Sequence, residues 1–224
     1  METFEFIECI NTWQGEGPDA GKRMLLVRFK ECNMNCYYCD TKIKMKASYP
    51  ANYTLTQIQS IIDKNKSGLM ITGGEPTFGK QLDQTIELLN SIKYSFANVE
   101  TNGYGLNILM TSVLSNRKIK YIYSPKIFNE KQLSMALNTF NICMKKDLYI
   151  KLVITENDIE EGSLIRKFIE LILDSNPNIN PNFYLMPEGT TREKLIKNSG
   201  VVFDLCDKYK LNFSSRLHLI YNFI

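Results

Sequence analysis

Cys32-Asn33-Met34-Asn35-Cys36-Tyr37-Tyr38-Cys39-Asp40-Thr41 carries three cysteines, four and then three residues apart, in a stretch without helical or strand periodicity. A loop of this kind can turn three thiolates onto one inorganic centre. The number three narrows the choice. A structural zinc takes four tetrahedral ligands, and a ferredoxin-type cubane takes four cysteines, one per iron. Three thiolates on a 4Fe-4S cluster leave the fourth iron open to a ligand from outside the chain. A zinc knuckle completed by Cys9, Cys143, Cys206 or His218 satisfies the same spacing, which indicates a centre without naming it.

Before the loop, residues 24–29 form an apolar run interrupted only by Arg28. A guanidinium in such a strand is costly unless paired, so Arg28 either escapes at an edge or meets an anion. Residues 4–9 read as an earlier strand whose alternation slips at Ile7-Glu8, followed by a polar, glycine-rich loop over 11–21. After the loop, Lys42, Lys44 and Lys46 read as a solvated flank. Thr54-x-x-Gln57 is a capping box ahead of the helical stripe Leu55, Ile58, Ile61 and Ile62.

Strands and helices then alternate. The pattern predicts strands over 68–72, 96–101, 118–123, 148–155 and 183–186, with Lys151 the one charge in the fourth. Helices are predicted over 81–93, 105–116, 131–145, from Asp158 or Ser163 to 174, and over 192–209, with 212–223 extended at the end. This order implies parallel β-α-β units, all strands pointing one way. Gly73-Gly74-Glu75, Thr101-Asn102, Ser124-Lys126 and Pro187-Glu188 each begin where a strand stops, which is where such sheets bind ligands. About six units suggest an α/β chain folded as a partial, open (β/α)6-like parallel barrel, a single domain over residues 1–224.

Apolar residues at 44% and charged ones at 23% are those of a globular protein. A net charge of +3, from scattered lysines, argues for no nucleic acid. Met1-Glu2-Thr3-Phe4-Glu5 has no basic, apolar leader character, and no apolar run reaches the ~20 residues of a membrane span, so no membrane is expected. Six cysteines, three of them in one loop, fit a reducing, cytoplasmic setting better than a disulfide framework.

The Cys-x3-Cys-x2-Cys pattern resembles the radical S-adenosylmethionine (SAM) superfamily. Gln14-Gly15-Glu16-Gly17-Pro18, Val27-Arg28-Phe29, Cys39-Asp40-Thr41, Thr72-Gly73-Gly74-Glu75-Pro76 and Glu100-Thr101-Asn102-Gly103 continue the likeness. Ser124-Pro125-Lys126, Met186-Pro187-Glu188-Gly189 and Arg216-Leu217-His218 complete it. In this order, over nearly the whole chain, they resemble the 7-carboxy-7-deazaguanine synthase family of queuosine biosynthesis.

The resemblance implies a radical SAM barrel and a lyase that contracts 6-carboxy-5,6,7,8-tetrahydropterin to 7-carboxy-7-deazaguanine with release of ammonia, by 5′-deoxyadenosyl radical hydrogen abstraction. It implies cluster ligation by Cys32, Cys36 and Cys39. SAM contacts are expected from Tyr38, Cys39, Asp40, Gly73, Gly74, Glu75, Thr101, Ser124, Pro125, Lys126, Pro187 and Glu188. Substrate contacts are expected from Trp13, Gln14, Gly15, Glu16, Arg28, Thr72, His218 and the terminal Ile224, with Thr41 joining substrate oxygens on Mg2+. A one-electron donor of flavodoxin or ferredoxin type and a homodimer come with it. The segment after His218 lacks the Trp-Gly continuation common in relatives. A bare Gly-Gly is also a common β-α turn, and a lone histidine is more often packed than functional. A glycyl-radical-enzyme activase shares the cysteine spacing but leaves Gln14–Pro18 unexplained. A zinc-stabilised binding module would explain the cysteines without any catalysis.

Overall fold

The computed structural model describes residues 3–39, 41, 50–145 and 147–223. Strand β1 (Phe4–Phe6) pairs antiparallel with β4 (Ala51–Tyr53) in a small separate sheet. The main sheet has eight strands: β2 (Glu8–Trp13), β3 (Arg23–Phe29), β5 (Gly68–Gly73), β6 (Ala97–Thr101), β7 (Ile119–Tyr123), β8 (Leu148–Ile154), β9 (Phe183–Pro187) and β10 (Asn212–Phe213). Their spatial order is β10-β9-β8-β7-β6-β5-β3-β2, and from β3 to β10 every pairing is parallel. Between the parallel strands run α1 (Leu55–Asn65), α2 (Lys80–Ser91), α3 (Leu106–Ser112), α4 (Glu130–Cys143), α5 (Leu164–Ser175) and α6 (Arg192–Tyr209). Seven parallel strands, the first six of them leading into these six helices, make the expected open, partial barrel among the described residues.

The strand period separates two faces. Leu25, Val27 and Phe29 of β3 pack outward into the large core with Ile58 and Ile62 of α1, Leu88 and Leu89 of α2 and Phe140 of α4. Met24 and Leu26 turn the other way and meet Met70 of β5 in a small inner cluster. The inner face also carries polar and charged side chains, beside Val153 and Met186. Asn98, Lys120 and Lys151 meet Gln14, Glu16 and Asp19 of the β2–β3 connection, which plugs the barrel. The two sheet ends are bridged beyond their strands: Gly17 N–H donates to Ser214 Oγ at 2.8 Å, and Leu217 N–H to the Gly15 carbonyl at 2.9 Å.

The capping box holds, with Thr54 and Gln57 exchanging side-chain and backbone bonds, and Ser163 is the N-cap of α5. Three expectations are corrected. The run over 4–9 is two strands in different sheets, and the slip at Ile7-Glu8 is the break between them. Residues 11–13 belong to β2, which runs antiparallel to β3, so not every strand points the same way. The extended segment expected over 212–223 ends at Phe213 and gives way to a short helix, α7 (Leu217–Tyr221), so His218 stands on a helix. Arg216 turns the chain there, its guanidinium held by Glu16 and the Gly189 carbonyl. The flank Lys42, Lys44 and Lys46 lies outside the described residues. Among the described residues no helix is long and apolar enough to cross a membrane.

Asp19 anchors the plug from below. It accepts from Asn98 Nδ2 and Lys120 Nζ, each at 2.8 Å, and its side chain is fully enclosed. Burial alone would raise its carboxyl, but Asn98, Lys120 and Lys22 outweigh that and hold it below the ordinary 3.8. In the apoprotein, Asp19→Asn is expected to cost about 2–4 kcal/mol at neutral pH. That stability is fully present above the ordinary carboxyl value and is lost as pH falls through the lower folded one. Urea midpoints near neutrality and in acid read the difference, and a gap that stays constant with pH contradicts the ion-pair account.

Candidate active site

The cysteine loop leaves β3 after Phe29, and the turn after β5 clamps its root. Gly74 N–H donates to the Phe29 carbonyl at 2.9 Å and Glu75 N–H to the Glu31 carbonyl at 2.8 Å, continuing the strand pairing past both strand ends. A Cβ on Gly73 would stand 2.2 Å from Phe29 O, and one on Gly74 2.0 Å from Glu31 O. Only glycine fits, and the closeness is to the cysteine loop's own backbone. Gln81 of α2 stitches the two segments, accepting from Glu31 N–H and donating to the Glu31 and Glu75 carbonyls. The Glu75 carboxylate is enclosed and accepts from Thr77 N–H and Oγ1, Thr101 Oγ1 and Asn102 N–H. Burial still pushes its carboxyl up against those donors.

A cavity of about 390 Å³ opens over the C-terminal ends of the parallel strands. Cys32, Cys36 and Cys39 all line it, beside Gly73, Gly74, Thr101 and Lys126. Cys36 is buried, Cys39 partly buried and Cys32 exposed. Among the described residues no three His, Cys, Asp or Glu side chains converge on one metal-ion position. A cubane takes each cysteine on a different iron, so its loop need not bring the thiols to one point. The donor set, three soft thiols on one cavity wall, fits a cluster with one open iron. Lys126 donates to the Ser124 carbonyl and Oγ at 2.7 and 2.8 Å, and burial lowers its ammonium. Tyr38 stacks edge-on against Tyr37 and Phe128 at the rim, and burial pushes its hydroxyl far up.

The cavity floor is a charged network. Lys151 Nζ lies 2.5 Å from Glu16 Oε2 and 2.7 Å from Glu100 Oε2, and Arg216 Nε lies 3.0 Å from Glu16 Oε1. Gln14 Nε2 donates to Asn98 and Glu100, both at 3.3 Å, while its oxygen accepts from Glu16 N–H. Burial would raise Glu16, but Lys151, Arg216 and His218 together hold it well below the carboxylate range. Burial would lower Lys151, but Glu100 and Glu16 hold it above the lysine range. His218 reaches the floor over Gly15, where an added Cβ would stand 2.2 Å from its Nδ1.

Arg28 settles the question its strand raised. Its Nε bonds the Glu8 carboxylate, on the register partner in β2, and its Nη1 lies 3.4 Å from Thr41 Oγ1. The guanidinium therefore has a resting partner inside the protein. Thr41 is buried and donates to the Gly73 carbonyl at 3.4 Å, joining the cysteine loop to the glycine turn.

Trp13, Thr72, Pro187 and Glu188 also line the cavity, with Glu188 paired to Lys194 at 2.6 Å. Pro125 is buried and does not line it. Asp40 and Ile224 lie outside the described residues. Glu100, Lys151 and Arg216 also face the cavity; none was expected as a contact residue, although Glu100 and Arg216 stand in the quoted motifs and Lys151 is the one charge of its strand. A buried charge inside an apolar strand, the signal read for Arg28, was present at Lys151 too.

Comparison with known proteins gives the family and the fold. The family described as a 4Fe-4S single cluster domain matches residues 14–130, which speaks against the zinc module. A 7-carboxy-7-deazaguanine synthase from Haemophilus influenzae is 35% identical over 45% of this chain and 46% of its own length. Those from Clostridium acetobutylicum and Methanocaldococcus jannaschii are 25% and 26% identical, over 82% and 90% of this chain and 81% and 91% of theirs. The crystal structure of QueE from Escherichia coli superposes with a TM-score of 0.60 at 18% identity, covering 96% of this chain and 95% of that one, a likeness of fold. The chain belongs to the family of 4Fe-4S single cluster domains, folded as a partial radical SAM barrel, and is similar along most of its length to 7-carboxy-7-deazaguanine synthases.

Proposed function

We propose that the chain converts 6-carboxy-5,6,7,8-tetrahydropterin to 7-carboxy-7-deazaguanine with release of ammonia. The observation that carries this is one cavity with a three-thiol wall on one side and a paired-carboxylate floor on the other. When bound, a 4Fe-4S cluster with SAM supplies a 5′-deoxyadenosyl radical for hydrogen abstraction. Cys32, Cys36 and Cys39 would hold the cluster as thiolates. The backbone of Gly73, Gly74 and Glu75, with Tyr38, Thr101, Ser124, Lys126, Pro187 and Glu188, would bind SAM. Glu16 accepts from the amino-pyrimidinone edge, and Gln14, Gly15, Thr72, Trp13 and His218 shape the pterin side. A one-electron donor of flavodoxin or ferredoxin type, a homodimer and a reducing cytoplasmic setting belong to the same reading. Anaerobic turnover of the carboxypterin with SAM and a reductant tests it, and a fully loaded enzyme that yields no deazaguanine product rejects it.

Arg28 is the candidate partner of the substrate carboxylate, through the guanidinium edge left by Glu8. Arg28→Met alone would also remove an ion pair from the Glu8 carboxylate, so the informative variant is Glu8→Gln/Arg28→Met. Pterin affinity is expected to fall by about 2–5 kcal/mol with SAM binding unchanged. Equal affinity by calorimetry removes Arg28 from the substrate site.

Thr41 is the candidate Mg2+ ligand. A single neutral oxygen is a weak site for a hard cation, and Arg28 beside it is repulsive. The ion would therefore arrive with the substrate carboxylate between them. Mg2+ should raise turnover without altering iron content, and Thr41→Val should blunt that response. Activity indifferent to strong chelation, with the cluster intact, contradicts it.

A further inference from the structure

The central group of the cavity floor has no part in the reaction as described so far. Lys151 projects from the inner face of β8 with its side chain 4% exposed, and contacts Glu16 from the β2–β3 loop and Glu100 from β6. Two carboxylates sharing a dry site do not both stay ionised without a cation between them. Glu16 has a second cation in Arg216, and His218 bears on it as well. Glu100 is less well provided. Among the described residues its other hydrogen-bond partner is the neutral Gln14 amide at 3.3 Å, with Lys126 bearing on it from the end of β7. One layer below, Asn98 separates the group from Asp19, Lys120 and Lys22.

We propose that Lys151 is a positioning residue for substrate recognition: by bridging Glu16 and Glu100 it keeps both carboxylates as hydrogen-bond acceptors toward the cavity. The inference rests on the pterin reading above, whose amino-pyrimidinone edge presents N–H donors. A protonated Glu100 would set a donor against those donors, since a carboxylic acid carries an O–H where the carboxylate only accepts. Burial and the adjacent Glu16 both push the Glu100 carboxyl up, and Lys151 is the main group working against them.

Calorimetric titration of the carboxypterin into cluster-loaded, SAM-bound enzyme without reductant, over about pH 6 to 9, tests this. Wild-type affinity is expected to stay flat. Lys151→Met should lose at least about tenfold near neutral pH and regain most of it as pH rises and Glu100 ionises. Lys151→Arg should restore the flat profile, and Lys151→Met/Glu100→Gln should bind weakly at every pH. A loss of equal size at every pH in Lys151→Met, or no loss, overturns the positioning role.

The protonated-carboxyl infrared band that Glu100→Gln removes gives a readout independent of the pterin. It should be absent from substrate-free wild type near neutral pH and present in Lys151→Met. Its presence in wild type overturns the proposal even where Lys151→Met does not fold. A wild type that binds no carboxypterin while the band behaves as expected rejects the pterin reading and leaves the charge-holding role of Lys151 standing.

Discussion

Cys32→Ala, Cys36→Ala and Cys39→Ala are each expected to abolish the broad visible absorbance of the reconstituted cluster, and with it all cleavage of SAM. The reason is position. These three thiols line one cavity wall at the strand ends, whereas Cys143 and Cys206 are buried in the helix-side core. Cys9 packs partly buried against the same core. Burial pushes the Cys9 and Cys206 thiols up to about 11, and it raises Cys32 too, so it is position that separates the two sets. Replacing them with Ala should cost core packing but leave iron and sulfide content unchanged. Iron and sulfide analysis after anaerobic reconstitution is the measurement. Full loading of the triple loop variant would mean that the cluster sits elsewhere.

Gly74→Ala should be nearly as severe, although the residue carries no chemistry of its own. The new Cβ would stand 2.0 Å from the Glu31 carbonyl and 2.8 Å from the Lys30 carbonyl, both backbone atoms that cannot rotate away. Relief means separating the glycine turn from the exit of β3, which breaks the Gly74–Phe29 and Glu75–Glu31 bonds. A destabilisation of about 2–4 kcal/mol is expected from overpacking and lost hydrogen bonds. The cysteine loop springs from that exit, so iron loading should fall with it. Gly200→Ala is the matching control. Gly200 lies in α6 with nothing within 4 Å of its added Cβ, and the change should stabilise by about 0.4–1 kcal/mol. Apoprotein urea midpoints with iron content decide the matter. A Gly74→Ala protein that loads iron like wild type would show the clamp to be dispensable.

Much of this protein was legible before any coordinates. The capping box at Thr54, the helical stripes and the apolar strands are local patterns, and local pattern determines which segments pair and which wrap. Alternation of the two kinds of element then dictated parallel strands with ligands at their C-terminal ends, so the cysteine loop, the glycine turn and the Ser124–Lys126 segment could be assigned to one face. The tertiary structure alone decided who partners whom. Glu16 meets Lys151 across 135 residues and Arg216 across 200, and no periodicity reports such a distance. Arg28 looked like a charge awaiting a ligand because its counter-ion, Glu8, sits on a strand whose antiparallel return the slipped alternation obscured. Lys151 looked like an isolated charge for a different reason. Strand alternation tells which face a side chain takes, but only the curvature of the sheet and the plug of residues 14–22 turn that face into a closed, water-poor interior where a lysine must find carboxylates.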